Sequence, residues 1–173
     1  MPSASCLILL CGLFPMLLCA ASSLPRLSLE SLIQQSDTIV EGRVVRKWAA
    51  MDSENKFIWT HYELAVSAAH KGKAGSTVIF SEPGGVAGGM QQAVADAVRY
   101  EVGDSVFIFL QRMPNGYLRT TGWAQGKYTV DRAGRVHAAA SLAGGSHPLD
   151  GIAASDLAAR VTARMQIKSA GAK

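Results

Sequence analysis

Tyr100-Glu-Val-Gly-Asp-Ser-Val-Phe-Ile-Phe-Leu110 decides the fold of this chain. Val102-Gly-Asp104 is a turn, and the continuous apolar run that follows, Val106-Phe-Ile-Phe-Leu110, reads as a strand buried on both faces. Beyond it, Pro114-Asn-Gly116 is a hairpin signal leading into a strand over residues 117–121. Strands over 126–130 and 135–138 follow, separated by a second hairpin signal, Asp131-Arg-Ala-Gly134.

In the other direction the pattern alternates. Over residues 38–48, Val40, Val44 and Trp48 share one face of a half-buried strand, with Glu41, Arg43 and Lys47 on the other. A turn at 52–56 leads to a strand over 57–68, which places Ile58, Tyr62, Leu64 and Val66 on one face. Phe57, Trp59, His61 and Glu63 fall on the opposite face. A turn at 71–75 precedes a third strand over 77–82. Pro83-Gly-Gly-Val-Ala-Gly-Gly89 reads as a loop without regular structure, in which some of Gly84, Gly85, Gly88 and Gly89 take positive φ. Residues 90–98 fit either a helix or a short strand ending near Val94.

Helices are expected at the two ends. Ser28 caps a short one carrying Leu29, Leu32 and Ile33 on one face, with Glu30 in the positive first turn. The last begins near Ser155, with Leu157, Val161 and Met165 as its apolar stripe and Arg160, Arg164 and Lys168 opposite. Cations late in a helix are favoured by its dipole, and Asp156 can pair with Arg160, so this stripe does not require a membrane. The expected architecture is a mainly β domain, a small partly open OB-like barrel with an N-terminal and a C-terminal flanking helix. Its divisions are a leader over 1–22, the barrel over 27–140, a Gly/Ser/Pro-containing linker over 141–154 and the helix over 155–169.

The leader rests on composition. Residues 1–23 contain no charged side chain and no histidine, and the run from Cys6 to Cys19 is almost wholly apolar before Ala20, Ala21, Ser22 and Ser23. That is the pattern of a secretory signal peptide, with cleavage after Ala21 or Ser22. A membrane anchor through the uncleaved segment and a lipoprotein at Cys19 are the alternatives. Pro15 and the shortness of the run weaken the first, since a spanning helix needs roughly 20 apolar residues. Leu18, standing where a small residue normally precedes the lipidated cysteine, weakens the second.

All three cysteines lie in this leader, so the mature domain is free of disulfides and of thiol chemistry. The 173-residue chain is 49% hydrophobic and 17% charged, which excludes a disordered chain, and a mature domain of this length can bury its own core. Its net charge of +4 belongs wholly to the mature domain and is compatible with an anionic partner.

No motif fixes an activity. Gly103-Asp-Ser105 has the residues of one esterase nucleophile block, but it enters a strand, and His147-Pro-Leu-Asp150 runs in the wrong order for that chemistry. Gly122-Trp-Ala-Gln-Gly-Lys-Tyr128 is one residue short of a phosphate loop and opens no helix. The four histidines, His61, His70, His137 and His147, form no metal-ligand spacing, so no metal and no cofactor are expected. Asp37, Glu41 and Glu63 show no spacing that would distinguish paired catalytic carboxylates from solvated strand faces. Phe57, Trp48 and Trp59 beside Arg43, Lys47 and Lys56 have the ingredients of a nucleic-acid platform, which export makes inapplicable.

Several segments are also familiar together: Gln35-Ser-Asp-Thr-Ile-Val-Glu-Gly-Arg-Val44, His70-Lys-Gly72, the glycine loop at 83–89, Tyr100 to Leu110, and Gly122-Trp-Ala-Gln-Gly-Lys127. Over residues 27–138 the chain resembles an uncharacterised family of exported bacterial proteins. Its order of elements is similar to OB-like barrels of the netrin and metalloprotease-inhibitor type. Those inhibitors present an N-terminal cysteine to zinc and are laced by disulfides, and the mature chain has neither. The resemblance implies export and fold and carries no catalytic residues.

The expected function is a non-enzymatic binding or protein-interaction module working in the periplasm or outside the cell, its partner another exported or envelope protein. No nucleic acid and no membrane span after cleavage are expected. The alternative is an envelope hydrolase whose site is assembled from residues distant in sequence. The candidate binding residues are Phe57, Trp59 and His61 on the outer face of the second strand, and Gly84, Gly85, Gly88 and Gly89 in the loop. A flat aromatic patch would favour the module and a deep polar pocket with displaced pKa values the enzyme.

Overall fold

The computed structural model describes residues 26–139 and 147–170. The leader over 1–22 and most of the linker's Gly/Ser segment lie outside the described residues, as does the side chain of Lys168. Among the described residues no helix is long and apolar enough to cross a membrane. The described residues are mainly β, with two α-helices flanking the larger of two sheets.

The first helix, α1 (Leu29–Gln35), starts where Ser28 Oγ accepts the Ser31 amide at 3.1 Å. It stops at Ser36, whose amide and hydroxyl both turn back to the Leu32 carbonyl. Leu32 and Ile33 are its buried face.

Two long strands, β1 (Thr38–Met51) and β2 (Ile58–Lys71), pair antiparallel, and β3 (Thr77–Pro83) pairs with β2. The apolar run is the core of β6 (Ser105–Arg112), whose residues Val106 to Leu110 are fully buried. On one edge β6 pairs with β1. On the other it pairs with both β7 (Leu118–Thr120) and β8 (Lys127–Val130), which β9 (Val136–Ala138) extends. The sheet order is therefore β3-β2-β1-β6-β8-β9, with β7 branching from β6.

Alternation along β6 supplies two cores. Phe107 and Phe109 face the helices, joining Leu32, Ile33, Tyr128 and, from α2 (Ala154–Ala170), Leu157 and Val161. Val106, Ile108 and Leu110 face the other way, joining Val40, Val44, Tyr62, Leu64, Phe80 and Tyr100. β3 and β7 come side by side at the open end of this second core. The connection there is Thr120 N donating to Glu82 Oε1 at 2.8 Å, and the strand ladder does not close.

Two expectations are corrected. In β1 the register steps from Val44 opposite Leu64 to Arg46 opposite Glu63, leaving Val45 as an extra residue. A bulge of this kind exchanges the faces beyond it. Trp48 therefore leaves the Val40/Val44 face and stands opposite His61, while Lys47 stands opposite Tyr62. Second, the glycine loop is not irregular: β4 (Gly85–Ala87) and β5 (Met90–Gln92) form a hairpin. Its two-residue turn, Gly88–Gly89, has φ of +58° and +75°. Such a turn matches strand twist only with left-handed residues, which glycine provides. The open choice at 90–98 resolves as β5 followed by irregular chain.

Candidate functional site

The sequence-derived residues part into two places. Phe57, Trp59 and His61 lie on a half-buried aromatic patch assembled from three segments. Pairing puts Trp48 beside His61, and their rings stack at 5.3 Å. Phe57 meets Trp59 at 5.3 Å, and Tyr117, from the turn before β7, stands edge-on to Trp59 at 5.2 Å and to His61 at 5.4 Å. Arg46 Cζ lies 4.2 Å over Trp48, and Arg119 Cζ lies 5.7 Å from Trp59 and 4.9 Å from Trp123. The tryptophans are thus flanked by two guanidiniums, the arrangement cation–π attraction favours. The helices pack over Phe107 and Phe109 instead, so neither is the cover that Trp59 would need as part of their core.

Gly84 and Gly85 lie elsewhere, on a cavity of about 320 Å³ between the β4–β5 hairpin, the far ends of β1 and β2, and the chain around 93–99. Gly88 and Gly89 belong to the hairpin tip and do not line it. The hairpin is tied down by Gly84 N donating to the Ile58 carbonyl and by Ile58 N donating to Gln92 Oε1, each at 2.7 Å. Thr60 Oγ1 also donates to the Gly84 carbonyl at 2.6 Å. Gly84 has φ +92°, and a Cβ there would stand 2.8 Å from the Gln92 carbonyl oxygen. Only glycine fits that close approach.

Glu82, which also lines the cavity, is 1% exposed. Its Oε1 caps the Thr120 amide, while Oε2 has no hydrogen bond and faces Arg119 Nη2 at 3.6 Å. Burial raises the Glu82 carboxyl above the ordinary glutamate value, against the opposing pull of Thr120 and Arg119. Burial likewise pushes the Tyr62 hydroxyl up to about 12 and Tyr100 well above its ordinary value, Tyr100 sharing a 2.7 Å hydrogen bond with Thr120 Oγ1. Lys127, buried beside the Tyr100 ring and donating to the Arg99 carbonyl, is lowered by the same cause.

Sequence reading passed over Glu82, Arg99, Gln92 and Lys127. The signal for Glu82 was present: the two-residue period of Val78 and Phe80 puts Glu82 on their buried face.

Among the described residues, the catalytic groupings weighed in the sequence do not come together. His61 Nδ1 and Ser81 Oγ are 2.7 Å apart, but Ser81 is 2% exposed inside the ladder, where no substrate carbonyl reaches its oxygen. Ser105 lies in β6 after the turn at Gly103. Glu41 faces His70 at 3.8 Å and Glu63 faces Arg46 at 3.8 Å, while Asp37 Oδ2 accepts the Arg112 amide, so these carboxylates do not converge. Among the described residues no three histidines, cysteines or carboxylates gather as metal ligands. Comparison with protein-family models, with curated proteins and with solved structures finds no match for this chain.

Proposed function

We propose that this chain is an exported, non-enzymatic binding module on a partly open OB-like barrel, and that its aromatic patch docks an acidic segment of another exported or envelope protein. The observation that carries the reading is the patch itself. Trp48, Phe57, Trp59, His61 and Tyr117 form one half-exposed surface, flanked by Arg46 and Arg119. Aromatic rings and arginine are the side chains that dominate protein-binding hot spots. The net charge of +4 on the chain favours an acidic partner, and Arg46, exposed beside Trp48 and 3.8 Å from Glu63, is the cation at the patch that it would meet. The barrel reading is supported by β7 lying against β3 at the open end of the second core. Export is supported by the charge-free apolar leader and the small residues after it.

The test is a fluorescence titration of the mature domain with a synthetic peptide of glutamates around a central phenylalanine, against its lysine counterpart. Binding of the acidic peptide alone is expected. Trp59→Ala should weaken it by about 2 kcal/mol or more with folding nearly intact. Loss of about 3–5 kcal/mol of stability in Trp59→Ala would make the residue core and remove the docking surface. Intact mass from the producing cell should give an N-terminus between Ala21 and Leu24, and a retained Met1 in the membrane fraction would overturn export.

A further inference from the structure

Of the patch residues only Trp48 also lines the cavity under the β4–β5 hairpin, and the construction of that cavity points to a second ligand. Its roof is fixed: Gly84 and Gly85, with φ of +92° and +138°, and the hydrogen bonds of Gly84 N and Ile58 N anchor the hairpin base on β1 and β2, and the cavity lies beside that anchor. Its volume of about 320 Å³ is at the small end of the range in which organic ligands bind.

Charge at its mouth is uneven. Lys47 Nζ is compensated by Glu101 at 2.8 Å. Arg99, exposed on the cavity's rim, makes no side-chain hydrogen bond or ion pair among the described residues, but its charge is also felt by Glu101, so two cations stand against one carboxylate at the mouth. The walls mix Tyr62, Val94 and Val98 with Thr60 and Gln92. We propose that this cavity binds a small organic monocarboxylate of amino-acid or dipeptide size, its carboxylate on Arg99 and its body against Tyr62 beneath the hairpin. With Lys47 and Arg99 sharing one Glu101, one net positive charge remains to match one negative charge, and a guanidinium presents the paired donors a carboxylate takes. Glu82, the acidic group in the same cavity, is deeply buried and faces Arg119 at 3.6 Å, which offsets its repulsion of an anion.

The probe is hippurate, a carboxylate joined through an amide to a ring, with hippuramide as its neutral counterpart. Titration of the mature domain, followed by amide NMR shifts and tryptophan fluorescence, is expected to saturate with hippurate below about 10 mM. Hippuramide, and hippurate on Arg99→Met, are expected to bind about tenfold more weakly or worse. Ala97→Trp, which fills the cavity, should abolish binding. Because Arg99 is exposed, its replacement leaves the fold in place and decides the question even where the tryptophan variant fails to fold. Absence of saturation by hippurate, or unchanged affinity in Arg99→Met, overturns the site. Binding lost in Arg99→Met but kept in a folded Ala97→Trp overturns the cavity, leaving only a surface arginine. None of these outcomes bears on Trp59 or on the acidic peptide, so the two proposals fail separately.

Discussion

Under the two helices the buried side chains are nearly all apolar: Leu32, Ile33, Phe107, Phe109, Leu157 and Val161 pack on one another. On the other face of the sheet, the core around Phe80 and Leu110 adjoins Glu82, Tyr100 and Lys127, each buried and each held by a backbone or side-chain partner. Both cores share β6, so the difference is not one of strand chemistry. Apolar burial beneath α1 and α2 stabilises without geometric demands, whereas the second core must satisfy buried polar groups by specific bonds. The cavity borders this polar core at Tyr62 and Glu82, and Trp59 and His61 of the patch stand on the opposite face of β2. A domain that is stable in one core can tolerate costly polar burial in the other.

This contrast can be broken by mutation. Leu157→Ala, a large-to-small change at a fully buried position in the apolar core, should cost about 2–5 kcal/mol in urea unfolding. A loss below about 1 kcal/mol would show that the helix does not anchor the domain.

Gly84→Ala comes next. A left-handed residue with a Cβ costs roughly 1–2 kcal/mol, and here the Cβ also meets the Gln92 carbonyl, so the loss should exceed that of Gly89→Ala, where the added atom meets open space. Equal effects at the two glycines would mean that the hairpin base is not tightly held.

Tyr100→Phe removes the partner of Thr120 Oγ1 inside the polar core and should cost about 1–2 kcal/mol. A neutral result would show that this core tolerates unpaired groups and would erase the contrast.

Acid gives the smallest expected effect and sharpens the comparison by sign. Burial lowers His61, His70 and His147 below the ordinary 6.5. Their contribution to stability is therefore present above pH 6.5 and is lost as the pH falls through their folded values. Glu82 runs the other way: its raised carboxyl contributes most below the unfolded glutamate value and loses that contribution as the pH rises through its folded value. Unfolding midpoints from pH 7 downward should fall less steeply in His61→Gln than in the native chain. An identical slope would show that His61 is not part of the acid response.

Much of this was legible along the chain. The apolar run at 106–110, the Ser28 cap and the turns at Gly116 and Gly134 are local signals, and each stands where it was read. The period of two in β2 separated the faces of Tyr62 and Trp59 correctly because no bulge interrupts that stretch of it. Val45 defeated the same reading in β1, since a bulge is set by the partner's register and not by the residues that form it.

The candidate sites divide along the same line. Phe57, Trp59 and His61 follow from alternation within one strand, but Tyr117 and Arg119 arrive from beyond β6, and Trp48 only after the bulge turns it over. The cavity needs Gly84, Tyr62 and Arg99 brought together from three segments, and Glu82 meets the Thr120 amide and Arg119 only where β7 lies against β3. The sequence by itself determined the strands of the larger sheet, the Ser28 cap and the turns at Gly116 and Gly134, whose energies arise within a few residues. Register, the patch and the cavity were decided only by tertiary structure, because desolvation and ring contact depend on which distant segments the sheet places side by side.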